Sequence, residues 1–284
     1  MNEHFKKFSG WALLLLALGL FLWQGGFLYL HAKFQVEYSD GRLFYMINIF
    51  SIICLGLALL LFVTATRKWR VAGGLIMVIV ILTNGLLLVA DARKTNNIVS
   101  LSPNLKHVLS MKEDKKTGET TYYRTYYYLL ARPKESFPYP TAGDFKVKWI
   151  ANDVAAVTYK AADQTIHQYI GTYGDRGSGG SYYYVGPSIH GRWSGENAEV
   201  ISNQEGITVR QNGEMDTFNW DQVVQFGTLA VVLVNNGEAA WTISLNENFV
   251  VQSDSSVPPI GDISLYKATM EKNEPVKLTY KGSE

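Results

Sequence analysis

A tyrosine-rich stretch beside a glycine-rich loop is the feature of this sequence best suited to chemistry. Tyr169, Tyr173, Tyr182, Tyr183, Tyr184 and Trp193 gather around residues 174–180 (GDRGSGG), with Arg176 and Arg192 among them. Tyr and Trp offer flat faces with a polar tip, and Arg offers a charged planar fork. Tyr173, Arg176, Tyr182, Tyr183, Tyr184, Arg192 and Trp193 therefore form a candidate ligand-binding set for a glycan, a peptide or a partner protein. The same rings could instead fill a β core and decorate its surface.

Three other patterns imitate catalytic or metal chemistry. Ser264-Leu265-Tyr266-Lys267 fits SxxK and Lys116-Thr117-Gly118 fits KTG. A penicillin-binding serine enzyme needs its Ser at a helix start with Lys one turn on, then SDN. Here the order along the chain is reversed and SDN is missing, so the match is coincidence. The glycine loop is not followed by Lys-Ser/Thr and a helix, as a phosphate loop requires. His107, His167 and His190, even joined by Asp163 or Asp175, have no helical or knuckle spacing for a metal. No catalytic residue, metal site or cofactor is assigned.

The elements that would carry such residues divide sharply. Residues 10–30, 43–63 and 71–90 are three apolar runs, each reaching the roughly 20 residues that cross a bilayer core. Trp11, Tyr29, Phe44, Tyr45 and Trp69 sit near the run ends, at headgroup level. Lys6 and Lys7 before the first run also suit a signal peptide, but Trp23-Gln24-Gly25-Gly26 is a poor cleavage site and an uncleaved anchor is expected. Gln24, Asn48, Thr83 and Asn84 are the polar residues inside the runs; they suit either a polar path or an interhelical contact, or else packing polarity near helix ends, and Gln24 reads as packing polarity. No Asp, Glu, Lys or Arg lies inside the runs, which argues against an ion or proton path.

Charge is unevenly shared. Residues 1–94 hold nine Lys or Arg against four Asp or Glu, a net +5, so with +1 overall the remainder nets −4. A mildly acidic polar part lacks the basic surface that nucleic acid demands. Its side of the membrane follows from Lys and Arg counts. Lys6, Lys7, Arg67, Lys68 and Arg70 face one side; Lys33, Arg42, Arg93 and Lys94 face the other. The denser group marks the cytoplasm, which puts the N-terminus inside and the C-terminal region outside. The single cysteine, Cys54, falls in the second run, so the polar region has no disulfide.

From residue 102 onward the pattern is one of strands and turns. Residues 95–101 read as a linker, 108–111 and 120–130 as a hairpin, and 132–141 with three prolines as an irregular connection. Residues 145–149, 154–159 and 165–173 read as a meander, and 182–185 as a strand. Further strands are expected at 199–202, 207–210, 215–220, 229–234 and 239–245, with a short helix at 221–226. Asn235-Asn236-Gly237-Glu238 is a hairpin turn, since Asn-Gly accepts positive φ. Residues 263–280 read as strand-rich with a helical turn near Met270. The expected architecture is a three-helix transmembrane anchor (1–94), a β-meander domain (95–195) and a second β-rich subdomain (196–284), possibly continuous with the first.

Ser102-Pro103-Asn104-Leu105-Lys106-His107-Val108 resembles the SPDGK-type opening of β-meander domains, with Asn104-Leu105 in place of Asp-Gly. Together with residues 146–159 (KVKWIANDVAAVTY), it is similar to uncharacterised membrane-anchored proteins of bacilli and their relatives. That resemblance implies a membrane location and no activity. Residues 205–220 (EGITVRQNGEMDTFNW), followed by Asp221-Gln222-Val223, also resemble the hairpin-then-Trp pattern of bacterial pleckstrin-homology-like domains, which often sit in the cytoplasm. The expected partners are the lipid bilayer and a membrane protein. The expected role is binding, sensing or scaffolding at a bacterial envelope. The alternatives are an accessory subunit of a larger membrane complex or an envelope enzyme.

Overall fold

The computed structural model describes residues 3–62, 66–176, 182–252 and 257–282. Three helices come first: α1 (Glu3–Phe34), α2 (Arg42–Phe62) and α3 (Arg67–Lys94). All three are long and apolar enough to cross a membrane. At about 1.5 Å per residue, the 21 residues of α2 span roughly 31 Å, the thickness of a hydrocarbon core. Their outward faces carry Leu22, Leu60, Ile79 and Leu86 exposed. That arrangement is costly in water and neutral in lipid. Gly56 lets α2 and α3 approach closely: a Cβ there would lie 1.8 Å from Met77 Cε.

The chain divides into two compact units, one comprising Met1–Val99 and Ser110–Ser136, the other Ser100–Leu109 and Phe137–Glu284. The helices share the first with most of a five-stranded sheet. Its strands are β1 (Glu37–Tyr38), β2 (Thr95–Leu101), β3 (Val108–Asp114), β4 (Thr120–Tyr126) and β5 (Leu130–Ser136), in the order β1-β5-β4-β3-β2.

Three expectations change here. Residues 95–101 are not a linker: Thr95 caps α3 through its N–H to Asp91 O and is also the first residue of β2. Ile98 and Val99 favour an extended chain. Residues 132–136 are not irregular either. Pro133 lies opposite Tyr123, next to a register shift after Tyr122, where a missing N–H is tolerated. The expected strand through Leu130 instead breaks at Tyr127 and Tyr128, whose φ values are 51° and 66°.

The second unit is all β apart from short turns. The meander forms as expected: β6 (Thr141–Ala151), β7 (Val154–Ala161) and β8 (Ile166–Thr172) pair antiparallel. The strand expected at 182–185 does not form: residues 182–184 are irregular and Val185 opens a single helical turn, α4 (Val185–Ser188). Then come β9 (Gly191–Ser194), β10 (Ala198–Ser202), β11 (Gly206–Gln211), β12 (Glu214–Asn219), β13 (Val223–Phe226), β14 (Ala230–Asn235), β15 (Glu238–Leu245), β16 (Asp262–Lys267) and β17 (Val276–Gly282). They form one antiparallel sheet in the order β12-β11-β10-β9-β17-β16-β15-β14-β13. The sheet therefore begins at Gly191 and runs without interruption through residues 194–196.

The two edge strands, β12 and β13, are consecutive in the chain and joined only by a 3-10 turn, Trp220–Gln222. Three residues reach about 10 Å at most, so the sheet must curl until its edges nearly meet. This near-barrel is tied across by Trp241 of β15, whose Nε1 donates to Asp216 Oδ2 of β12 at 2.8 Å. The expected helix at 221–226 is thus a turn and a strand, and the chain near Met270 bends without forming a helix. Asn236 and Gly237 take φ of 50° and 85° in the expected hairpin turn.

Trp193, Val200, Ile207, Phe218, Leu233, Ile243 and Leu265 fill the near-barrel. The meander lies against its outer wall, where Val154, Ala156 and Ile170 meet Ala230, Val232 and Tyr266. One polar link crosses that layer: Thr242 Oγ1 donates to Gln168 Oε1, and Gln168 Nε2 donates to Thr158 Oγ1.

Candidate functional site

The structure disperses the aromatic set expected to bind a ligand. Trp193 is 0% exposed in the near-barrel core, and its Nε1 donates to Ile189 O at 2.8 Å. Arg176 is 6% exposed along its side chain and forks onto Asp153, itself 12% exposed, at 2.5 and 2.7 Å. It also donates to the carbonyls of Asn246 and Leu245. Burial alone would disfavour the guanidinium charge, but the Asp153 hydrogen bonds hold its pKa above the ordinary value. Arg176 is a brace for the loop that follows β8.

Tyr183 belongs to the same brace, its hydroxyl accepting the Arg176 N–H at 2.9 Å. Tyr173 donates to Val108 O at 3.1 Å and stacks on His107 at 5.1 Å. Tyr169 is buried against Phe137 and Phe226. Arg192 is exposed and paired with Glu199 at 2.5 Å. Only Tyr182 and Tyr184 offer open faces, at 62% and 64% exposure, in edge contact with each other at 5.5 Å. Of the glycine loop, residues 177–180 lie outside the described residues.

The catalytic look-alikes are structural too. Ser264 is on strand β16, not a helix start, and donates to Asn246 Oδ1 at 2.8 Å. Lys116 and Thr117 sit in the β3–β4 turn, where their N–H groups donate to Asp114 Oδ1. His167 is buried against Tyr139 at 4.1 Å, its Nε2 2.7 Å from Thr165 Oγ1.

A different cluster does come together, at the ends of the helices in the first unit. Tyr38 of β1 is 2% exposed; its hydroxyl accepts from Trp23 Nε1 at 2.8 Å and donates to Gln24 Oε1 at 2.7 Å. Gln24 Nε2 donates to Phe44 O at 2.9 Å and to Asn48 Oδ1 at 2.8 Å. Asn48 Nδ2 donates to Asn84 Oδ1 at 3.4 Å, and Asn84 Nδ2 to Val80 O. One hydrogen-bonded chain thus runs from the sheet through α1, α2 and α3.

Gln24 is its centre, where the sequence suggested mere packing polarity. A signal was present: Gln24, Asn48 and Asn84 each lie five or six residues in from the same-side ends of their apolar runs. Amides at one depth in lipid seek one another, because no water competes for them.

Above this chain opens a cavity of about 390 Å³. Phe27, Tyr38, Phe44 and Tyr45 form aromatic walls, with Phe27 and Tyr38 stacked at 4.1 Å. Glu37, Asp91, Lys112 and Asn97 supply polar groups. Lys112 pairs with Glu37 and lies 4.7 Å over the ring of Tyr123. Burial and then the Glu37 charge push the Tyr123 hydroxyl up to about 12. Asp91 forms no ion pair among the described residues. No family model, curated protein or solved structure matches this chain. The junction is a polar, aromatic-walled cavity whose floor is hydrogen-bonded to all three helices.

Proposed function

We propose that this chain is an integral membrane protein of a bacterial envelope that binds or senses at the membrane surface. Its β region would face outward and its N-terminus the cytoplasm. The observation that carries this reading is the Tyr38–Gln24–Asn48–Asn84 chain. A passive tether needs no such link between its helices and a surface strand. A sensor does, because an event at the surface has to bias helix packing. Lys and Arg counts support the outward orientation, and the resemblance to membrane-anchored proteins of bacilli supports the source. The segment between α2 and the first turn of α3 around Lys68 would be too short to signal alone, so signalling would require a membrane partner. Exposed Tyr182 and Tyr184 are a second place where an envelope ligand could dock.

Two measurements test this. On intact cells, protease should digest the β region while a tag near Lys68 stays protected; the reverse pattern overturns the orientation and favours the pleckstrin-homology-like reading. Gln24→Leu should speed amide exchange in β1 and β5 if helices and sheet are coupled. Unchanged exchange there would reduce the helices to a tether.

The accessory-subunit reading draws on α3, which has no buried residue. An apolar crevice of about 590 Å³ also lies between α2 and α3, lined by Leu59, Trp69 and Met77 among others. Co-purification of a stoichiometric partner in mild detergent would favour it.

A further inference from the structure

We propose that the hairpin β4–β5 holds a phosphate group in a basic cavity, distinct from the junction cavity. Arg124 and Arg132 lie directly opposite each other in the β4–β5 register. Cross-strand neighbours sit about 5 Å apart, so two like charges there repel. The repulsion is not relieved locally: Arg124, Arg132 and Lys134 form no ion pair among the described residues.

These three cations surround a cavity of about 260 Å³, completed by Tyr126, Pro133 and Gln35, with no acidic group in its lining. Arg42, by contrast, is held by Asp40 at 2.6 Å. Lys134 Nζ lies 5.9 Å over the ring of Tyr122, and neither arginine has an acidic partner among the described residues. A site with three cations free of ion pairs and two guanidinium forks matches a phosphate mono- or diester, whose oxygens accept paired N–H donors. Gln35 directly follows α1, so the cavity stands beside a helix end. On the membrane reading proposed above, that is headgroup depth, where anionic lipid phosphates are concentrated. The shared chemistry is the phosphate; its source is either a lipid headgroup or a free phosphate compound.

The test uses the full chain, as wild type and as Arg124→Gln, Arg132→Gln and Lys106→Gln, the last removing an exposed cation elsewhere. In detergent with a neutral headgroup, the thermal midpoint is followed against inorganic phosphate and against chloride at matched ionic strength. In nanodiscs and phosphate-free buffer, phosphatidylglycerol is compared with digalactosyl diacylglycerol, a neutral bilayer lipid that carries no phosphate. Saturable stabilisation by inorganic phosphate identifies a free-phosphate site. Stabilisation by phosphatidylglycerol alone identifies a lipid headgroup. In either case each arginine variant should bind at least about tenfold more weakly, and Lys106→Gln should match wild type.

A crossed sign is also expected. Without any phosphate, Arg124→Gln should raise the midpoint, because it removes the opposed charges. A purely structural arginine would lower it. The proposal falls if neither phosphate source outperforms its control, or if Lys106→Gln loses as much binding as the arginine variants. The phosphate arm in detergent does not depend on membrane orientation, so its outcome is separable from the functional reading above.

Discussion

In the helical unit, three amides stand in a background of aliphatic side chains, and Gln24, Asn48 and Asn84 find one another across three helices. In the β unit aromatic rings are plentiful, and several site-like residues serve the interior: Trp193 and Trp241 fill the near-barrel and Arg176 braces a loop against Asp153. The contrast follows from solvent. In hydrocarbon a lone amide has no water to turn to, so polar groups condense into a network. In a β core beside water, an aromatic ring contributes most by burial, and its polar tip needs only one nearby carbonyl. Abundance of site-like residues is therefore a poor guide to a site, and scarcity in a membrane segment is a good one.

Breaking the brace should have the largest effect. Arg176→Met leaves the Asp153 charge buried and unpaired, and should cost about 3–5 kcal/mol in the unfolding of the β unit followed by circular dichroism. The double variant Arg176→Met, Asp153→Leu should recover much of that. If the single variant is neutral, Arg176 is free to serve a ligand and the contrast collapses. Gln24→Leu comes next, with a loss of about 0.6–2 kcal/mol in helix-bundle stability, measured by denaturing-detergent titration. An equal loss from Thr83→Val, whose hydroxyl donates only to Ile79 O within its own helix, would show that the network has no special weight.

Acidification should separate the units further. Burial lowers the pKa of His167, and likewise of His107, below the ordinary 6.5. Both lie in the β unit. Between that value and the depressed folded-state values, the unfolded chain binds more protons than the folded one, so stability rises with pH. The β unit should thus lose stability as pH falls below 6.5, and level off once the folded histidines also protonate. Thermal melts across that range, repeated with His167→Gln, would show a shallower slope in the variant. The smallest effect should come from Tyr182→Ser and Tyr184→Ser, within about 0.5 kcal/mol of wild type. A larger loss would mean that these rings pack rather than display.

Long-range order was readable where one physical rule governs. Apolar runs of bilayer length gave the three helices, and Asn236-Gly237 gave its hairpin. The failures have particular causes. Pro133 argues against a strand until a neighbouring bulge excuses its missing N–H. Tyr127 and Tyr128 look like strand residues, yet the chain must turn there for β5 to pair with β4. Tyr182-Tyr183-Tyr184-Val185 has strand propensity, but Tyr183 is held by Arg176 and Val185 starts a helical turn. The junction was partly legible as amides at matched depth. Its aromatic walls were not, because β1 is two residues long and Tyr38 is set in place by pairing with a distant strand, β5, together with contacts from Trp23, Gln24 and Phe27.

That pairing has a consequence for how the protein is made. Ser39, just after β1, donates to the Tyr128 carbonyl, 89 residues later in the chain. At roughly 5–20 residues per second of synthesis, β1 waits on the order of ten seconds for its neighbour. During that interval two further apolar helices must enter the bilayer, and the tyrosine-rich hairpin must be delivered to the same side as β1. The order of events is thereby imposed on the cell: insertion is completed first, and the sheet closes over the helix ends afterwards. A ribosome stalled before Tyr128 would leave three inserted helices with an open polar top.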